Sequence, residues 1–441
     1  MKDTSWELPN PFIREDGTQL LRPEDWQAQR EYLARILAED LYGEMPPAPG
    51  NTEAELIFSK SLWEGSGVFE VYDLRFGPGH AVHEKTALIR SAASACKPIP
   101  IVLCGGFVDE AIAKKAVARG FCIATPLTDE AAPDLPEYRE GTLYRAYPEY
   151  GFKVIAMWAW LLSRVIDWLY TLETVDCERL VVAGHSRFGK AALCCAVYDE
   201  RVRACVAAGS GCGGMGSLRV AGGRWGRDTG AVETLGGMVT GFFPHWFREE
   251  LAAFGAKEQS AHARENELRF DSNFIGSAIA PRPLLVLEGL DDTWANPFGT
   301  TAAWSAVSEV YHFLGQDSKL GLHFREGGHA LNAEDWEILL DFCASHLRGE
   351  TPQSVWHTRG EAEPAIARSW SAPHSPADEP APVKGSFFTL TPERIRHFRE
   401  SLRGKWAFGE AGLETGMDRF VKRILAEAGA DEVLLSEEDK R

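Results

Sequence analysis

The sequence predicts an α/β protein in which a mostly parallel sheet is covered by helices on both faces. Short, continuous apolar segments recur at 99–103, 180–183, 203–208 and 284–288, with helical patterns between them. Strands that are buried on both faces have this continuous apolar character, and they are typical of parallel sheets. We therefore place a layered α/β domain at residues 55–350.

The segment before this domain, residues 1–54, is predicted to be helical. Pro23 and the acids that follow it suit the first turn of a helix. The apolar residues that then recur at helical spacing are Trp26, Leu33, Ile36, Leu37 and Leu41. The alternation of apolar and polar residues over 69–76 indicates a half-buried strand after this helix.

Between residues 99 and 324 the predicted strands and helices alternate. Strands are predicted at 99–103, 121–124, 180–183, 203–208, 284–288 and 321–324, and helices at 111–119, 153–172 and 188–198. Parallel strands need crossover connections, which are usually helices, so this order favours parallel pairing.

The composition changes beyond the predicted domain. Residues 361–384 are rich in Pro, Ala, Ser and Glu, so we assign 351–385 as an extended linker. The tail, 386–441, is predicted to contain a helix capped by Thr391 and a second helix at 415–429. It is too small for a core of its own. We expect it to pack on the rest of the chain or on a second subunit, forming a homo-oligomer.

The charge balance excludes several classes of partner. The chain of 441 residues has 46 Lys and Arg against 64 Asp and Glu, a formal net charge of −18. This charge suits neither a nucleic-acid backbone nor an anionic membrane surface. No apolar run approaches the roughly 18–20 residues that span a bilayer, and the N-terminus lacks the apolar stretch of a secretory signal. We expect a cytoplasmic protein without nucleic-acid or membrane partners.

Neither a cofactor nor a metal ion is expected. The sequence contains no HExxH motif and no cluster of His and Asp at metal-ligand spacing. Its nine cysteines include no CxxC pair, so they are predicted to be reduced thiols in the core.

Ser186 is the candidate nucleophile. It follows the apolar strand at 180–183 and precedes a predicted helix, and Gly184, two residues before it, allows a sharp turn that exposes the hydroxyl. The N–H groups at the start of that helix favour a developing oxyanion. The second glycine, Gly189, falls one position later than in the common Gly-x-Ser-x-Gly pattern.

His329 is the candidate general base for this serine. It follows the predicted strand at 321–324 and a pair of glycines that free the backbone to direct the imidazole over the sheet edge. Two other histidines compete for the role. His245 lies in an aromatic segment that resembles packing, and His323 lies within the predicted strand.

Asp292 is the candidate acid that orients the histidine. It lies three residues past Gly289, which ends the strand at 284–288, and it completes the order Ser, Asp, His along the chain. Asp291 is the near alternative for this role, and Glu233 is a more distant one.

These residues resemble the motifs of the glucuronoyl esterases, carbohydrate esterase family 15, especially its bacterial branch. The resemblance covers about residues 40–348 and is specific because of the Ser-Arg-x-Gly-Lys signature at 186–190. The other matching segments are Ser210-Gly211-Cys212-Gly213-Gly214, Glu233-Thr234, Phe243-Pro244-His245-Trp246-Phe247, Ala280-Pro281-Arg282-Pro283, Trp294-Ala295-Asn296-Pro297 and Gly327-Gly328-His329.

The resemblance implies an α/β-hydrolase fold, a three-layer sandwich, and hydrolysis of a glucuronate ester of the 4-O-methyl-glucuronoyl type through an acyl-enzyme. The implied partner is a small-molecule or oligosaccharide uronate ester. By this resemblance Ser186 would be the nucleophile and His329 the base, and Arg187 would stabilise the oxyanion. The residues expected to bind substrate are Lys190, Trp294 and Glu233.

The sequence differs from many family members at the position of the catalytic acid. Many members have a catalytic glutamate where this chain has Gly209, whereas others use an acid after a later strand, which favours Asp292. Two alternative functions stay open at this point. One is a general short-chain acyl or acetyl carbohydrate esterase on the same fold, and the other is a non-catalytic binding protein that retains the fold.

Overall fold

The computed structural model describes residues 7–105, 108–127, 130–220, 232–254, 264–358, 373 and 416–434. Its strands there are β1 Glu53–Leu62, β2 Gly67–Phe76, β3 Val82–Ser91, β4 Ile99–Gly105, β5 Cys122–Pro126, β6 Val175–His185, β7 Ala204–Ala208, β8 Leu284–Gly289 and β9 Leu320–Arg325. Its α-helices there are α1 Trp26–Leu37, α2 Glu110–Ala118, α3 Thr142–Ala146, α4 Val154–Leu169, α5 Arg187–Tyr198, α6 Leu235–Gly237, α7 Ser272–Ile279, α8 Pro297–Phe313, α9 Ala333–Arg348 and α10 Gly416–Ala428. Within these ranges no helix combines the length and the apolar character that a membrane crossing requires.

The chain divides into two compact units. The serine unit comprises Glu44–Ala204 and Ala411–Arg441, and the histidine unit comprises Met1–Gly43 and Cys205–Glu410. The division at 204 falls inside the segment that was predicted as one domain, 55–350. The predicted boundaries at 54, 350 and 385 stay a prediction.

The serine unit contains strands in the order β1-β2-β3-β5-β4-β6. The pairs β4–β5 and β4–β6 are parallel, as predicted, and the register Gly105 opposite Gly184 brings the carboxyl ends of β4 and β6 to one edge. The pairs β1–β2, β2–β3 and β3–β5 are antiparallel. The predicted half-buried strand at 69–76 is β2, but most of its residues are buried.

Two helices bring Ser186 to this edge. The side chains of α4 are almost all buried, which agrees with its apolar sequence. Helix α5 follows β6 directly, and the ring of Phe188 in its first turn packs 5.4 Å from the ring of Trp158 in α4. The start of α5 is therefore anchored by aromatic packing.

The C-terminal helix α10 lies on the serine unit of its own chain. Phe420 packs edge to face on Phe69 of β2, with ring centroids 6.2 Å apart. Lys60 of β1 forms an ion pair with Glu427 at 3.0 Å. The helix predicted at 415–429 is confirmed. The predicted linker beyond residue 358, apart from Pro373, and the helix predicted at Thr391 lie outside the described residues.

The histidine unit contains the parallel strands β7, β8 and β9. Helix α1 packs against α7, and the indole of Trp26 donates a hydrogen bond to the carbonyl oxygen of Ala280 at 3.2 Å. The predicted apolar face of the N-terminal helical segment is buried. Asn273 of α7 also donates to the carbonyl oxygen of Pro9 at 2.8 Å, which ties the N-terminal segment to this unit.

Candidate active site

Ser186 lies at the turn between β6 and α5 in a conformation that L-residues rarely adopt. Its backbone has φ 56° and ψ −126°, and the residue is half-buried. A positive φ in a residue other than glycine costs free energy, and strained residues of this kind cluster at active sites. The carbonyl oxygen of Ser186 accepts the N–H of Lys190 at 3.0 Å, which closes the first turn of α5. The sharp turn predicted at Ser186 is therefore formed.

Two glycines make this turn sterically feasible. A Cβ at Gly184 would overlap the carbonyl oxygen of Phe188 in the first turn of α5. A Cβ at Gly105, at the end of β4, would lie 2.8 Å from the ring of the same phenylalanine. The absence of side chains at these two positions allows α5 to begin directly against the ends of β4 and β6.

The two basic residues of the Ser-Arg-x-Gly-Lys signature have different environments. Arg187 forms an ion pair with Asp134, and its side chain is 31% exposed. Lys190 is only 1% exposed, which is unusual for a lysine and excludes a purely solvated role. Asp134 precedes Arg187 by 53 residues, and no local sequence pattern links the two, so this partner could not be predicted.

His329 and Asp292 form a hydrogen-bonded pair in the histidine unit. The Nδ1 atom of His329 lies 2.6 Å from Oδ2 of Asp292. The aspartate side chain is 2% exposed, whereas the histidine side chain is 29% exposed. An N–H at Nδ1 that donates to the carboxylate leaves Nε2 as the acceptor, which is the tautomer of a general base.

The backbone around Asp292 orients its carboxylate. Its second oxygen, Oδ1, accepts the N–H of Ala295 at 3.2 Å, and its own N–H donates to the carbonyl oxygen of Gly289 at 3.0 Å. One oxygen is therefore directed to the histidine while the other is held by the loop after β8.

Asp291, the near alternative, has a different contact. Its carboxylate accepts the N–H of Gly327 at 3.2 Å, and its N–H donates to the carbonyl oxygen of that glycine at 2.9 Å. Gly327 has φ 95°, and a Cβ at Gly289 would lie 2.6 Å from its carbonyl oxygen. Asp291 therefore joins the loop after β8 to the loop of His329.

Glu233 and Trp294 are neighbours in the histidine unit. The N–H of Glu233 donates to the carbonyl oxygen of Trp294 at 3.0 Å, and its buried carboxylate accepts the N–H of Cys212 at 2.8 Å. Trp294 is half-buried. Two of the predicted substrate-binding residues thus lie side by side.

The competing histidines lie elsewhere in the histidine unit. His245 is buried among aromatic rings, with the rings of Phe243 and Trp246 at 6.2 and 6.3 Å. His323 lies in β9, and its Nδ1 is 3.1 Å from the carbonyl oxygen of Val355. The sequence prediction that His245 serves packing and that His323 lies within a strand agrees with these positions.

Comparison with known proteins identifies relatives over most of the chain. A sequence profile described as "Glucuronyl esterase, fungi" matches residues 80–315, more than half of the chain. Carbohydrate esterase MZ0003, from an unknown prokaryotic organism, is 26% identical over 409 residues, which covers 78% of this chain and 90% of that protein. The 4-O-methyl-glucuronoyl methylesterase 1 of Wolfiporia cocos is 26% identical over 314 residues, which covers 70% of this chain and 72% of that protein.

A solved structure extends this similarity to the fold. The carbohydrate esterase family 15 glucuronoyl esterase from Caldicellulosiruptor kristjansonii superposes with a TM-score of 0.69 at 27% identity. The superposition covers 83% of this chain and 97% of that one. The predicted α/β-hydrolase fold, with its mostly parallel sheet and flanking helices, is confirmed.

Proposed function

The chain belongs to the glucuronoyl esterase family and is a carboxylic ester hydrolase, and we propose that it cleaves a glucuronate ester by means of Ser186, His329 and Asp292. The observation that carries the assignment of roles is the 2.6 Å contact between His329 Nδ1 and Asp292 Oδ2. A buried carboxylate on one ring nitrogen is what a general base needs to accept a proton on the other.

In the first step Ser186 attacks the ester carbonyl and its proton moves to Nε2 of His329. The histidine becomes an imidazolium, and the negative charge of Asp292 stabilises it. Because Asp292 is buried, this charge interaction is stronger than it would be in water. The carboxylate also keeps the ring from rotating, so Nε2 stays free to accept a proton.

The oxyanion that forms on the carbonyl needs hydrogen-bond donors. We assign this role to Arg187, which is the first residue of α5 and follows the nucleophile. Its guanidinium is permanently charged and presents several donors in a fixed plane. The ion pair with Asp134 orients this group in advance, so less reorganisation is needed when charge develops.

The alcohol then leaves with the proton from His329, and the uronate remains as an ester of Ser186. Water gives a proton to the same histidine and attacks this acyl-enzyme. The histidine then returns the proton to the departing oxygen of Ser186, which releases the uronic acid and the free serine. One ester and one water give one acid and one alcohol, and no cofactor takes part in either step.

We assign recognition of the sugar to Lys190, Glu233 and Trp294. The backbone hydrogen bond between Glu233 and Trp294 places a carboxylate acceptor beside an indole. Sugars present both apolar ring faces and hydroxyl donors, so this pair suits a carbohydrate. Lys190 lies one turn after Ser186 on α5, and its ammonium group supplies donors for the uronate hydroxyls.

A substrate panel tests this function. Wild type is compared with Ser186→Ala and with Ser66→Ala, a matched control at an exposed turn. We expect methyl glucuronate to be hydrolysed with a higher kcat/KM than acetylated sugars or nitrophenyl acetate, by wild type and by Ser66→Ala but not by Ser186→Ala.

Other results would point to the alternatives. A preference for the acetylated sugars would indicate a general acyl esterase. The absence of both hydrolysis and labelling of Ser186 by a fluorophosphonate probe would indicate a binding protein. Equal activity in Ser186→Ala would remove the proposed nucleophile.

A further inference from the structure

We propose that Arg325 is a positioning residue that holds the loop of His329 in the geometry that brings Nδ1 to Asp292. The inference rests on the proposed role of His329 as the general base. Arg325 ends β9, four residues before the histidine, and its side chain is 3% exposed.

The guanidinium of Arg325 is surrounded by the backbone of the histidine loop. It donates to the carbonyl oxygens of Glu326 at 3.0 Å, Gly328 at 2.9 Å and Ala330 at 2.6 Å. Gly328 and Ala330 flank His329 on either side. The backbone on both sides of the histidine is therefore attached to one buried cation.

The same arginine joins the loop to helix α9. Its Nε lies 2.7 Å from Oδ2 of Asp335, whose side chain is 2% exposed. This oxygen also accepts the N–H of Asn332 at 2.8 Å, and the Asn332 side chain caps α9 in return. The loop between β9 and α9 is thus closed by a set of charge-assisted hydrogen bonds around Arg325.

Only arginine can make these contacts together. Its five N–H donors lie in one rigid plane, and here that plane serves three carbonyl oxygens and one carboxylate. A lysine retains the positive charge for Asp335, but its donors radiate from a single atom. Arg325→Lys therefore preserves the charge and removes the geometry, which separates the two contributions.

The test measures kinetics and the histidine hydrogen bond in the full-length protein. Arg325→Lys is expected to lower kcat on methyl glucuronate by about 10- to 100-fold, since a displacement of about 1 Å in a reacting group can cost that much. KM should stay nearly constant, because the side chain of Arg325 contacts the backbone of the histidine loop and is not assigned a contact with substrate. The low-field Nδ1–H proton signal of His329, assigned by its loss in His329→Ala, should weaken or disappear.

Two further variants control for stability. Asp335→Asn keeps an acceptor for Asn332 but removes the charge, so it should change kcat and the proton signal in the same direction by a smaller factor. Arg201→Lys disrupts another arginine network, with Asp199 and Asp167 beyond the C-terminal end of α5. It should lower the melting temperature without changing kcat or the signal.

The proposal is overturned if Arg325→Lys folds, has a kcat within about two-fold of wild type and shows an unchanged proton signal. The same holds if Arg201→Lys reduces kcat as much as Arg325→Lys does. If Arg325→Lys does not fold, the kcat and the proton signal of Asp335→Asn are used instead, and no change in either overturns the proposal. If wild type cleaves no ester, the proposed function fails, while the proton signal still shows whether Arg325 orients His329.

Discussion

His329 Nδ1 lies 2.6 Å from Oδ2 of Asp292, whereas the carboxylate of the adjacent Asp291 accepts the N–H of Gly327. The two acids are neighbours in the sequence, but one is buried beside the imidazole and the other is exposed at a loop. Substitutions that remove only the charge should therefore have very different effects at the two positions.

Asp292→Asn is expected to reduce kcat by about 10⁴-fold, because a neutral amide stabilises neither the required tautomer nor the imidazolium. Asp291→Asn should be close to wild type, since an amide oxygen can still accept the N–H of Gly327. Steady-state kinetics on methyl glucuronate measures both. Equal losses in the two variants would contradict the assignment.

Glu233→Gln tests the more distant acid. Because the amide can still accept the N–H of Cys212, we expect an intact fold and a rise in KM larger than the fall in kcat. A fall in kcat greater than that of Asp292→Asn would transfer the role of triad acid to Glu233.

Arg187→Met should lower kcat by about 10²- to 10³-fold, the usual cost of losing an oxyanion donor. Asp134→Asn should have a smaller effect in the same direction, because it frees the guanidinium without removing it. Arg179→Met is the matched control, since Arg179 forms a similar ion pair with Asp176 within β6. A loss of activity in Arg179→Met comparable with that in Arg187→Met would mean that the effect is not specific to the oxyanion.

The strained backbone at Ser186 lowers the stability of the fold at a position that activity requires. Ser186→Ala and Ser186→Gly should both be inactive, but the glycine variant should unfold at a higher urea concentration. Glycine adopts φ 56° without the steric cost, which is worth about 1–2 kcal/mol at such a position. Urea unfolding followed by circular dichroism compares the two. Equal midpoints would show that the turn is not strained.

The C-terminal helix should contribute to the stability of the serine unit. Phe420→Ala is expected to cost about 2–4 kcal/mol, because the ring is buried against Phe69 and its removal leaves a cavity. Arg423→Ala, which removes an exposed ion pair with Glu110, should cost less than about 1 kcal/mol. Urea unfolding measures both variants. Equal small losses would indicate that α10 is not packed on β2 in solution.

Several elements could be read from the sequence because their signals are local. The continuous apolar run in β6 predicts a buried strand, and Gly184, two residues before Ser186, predicts the sharp turn. The antiparallel strands β1 and β3 carry no such signal. Most of β1 is exposed, and β3 contains the buried polar residues Glu84, Lys85 and Thr86, so neither strand shows a clear apolar pattern.

The sequence by itself determined the class of fold, the nucleophile turn and the two loops that carry His329 and the aspartates, because each depends on residues close together in the chain. Only the tertiary structure decided which of two adjacent aspartates contacts the imidazole, that Asp134 pairs with Arg187, and that Arg325 secures the histidine loop. These contacts depend on the direction of each side chain. The side chains of neighbouring loop residues can point to opposite sides. Residues far apart in the sequence come into contact only when the chain has folded.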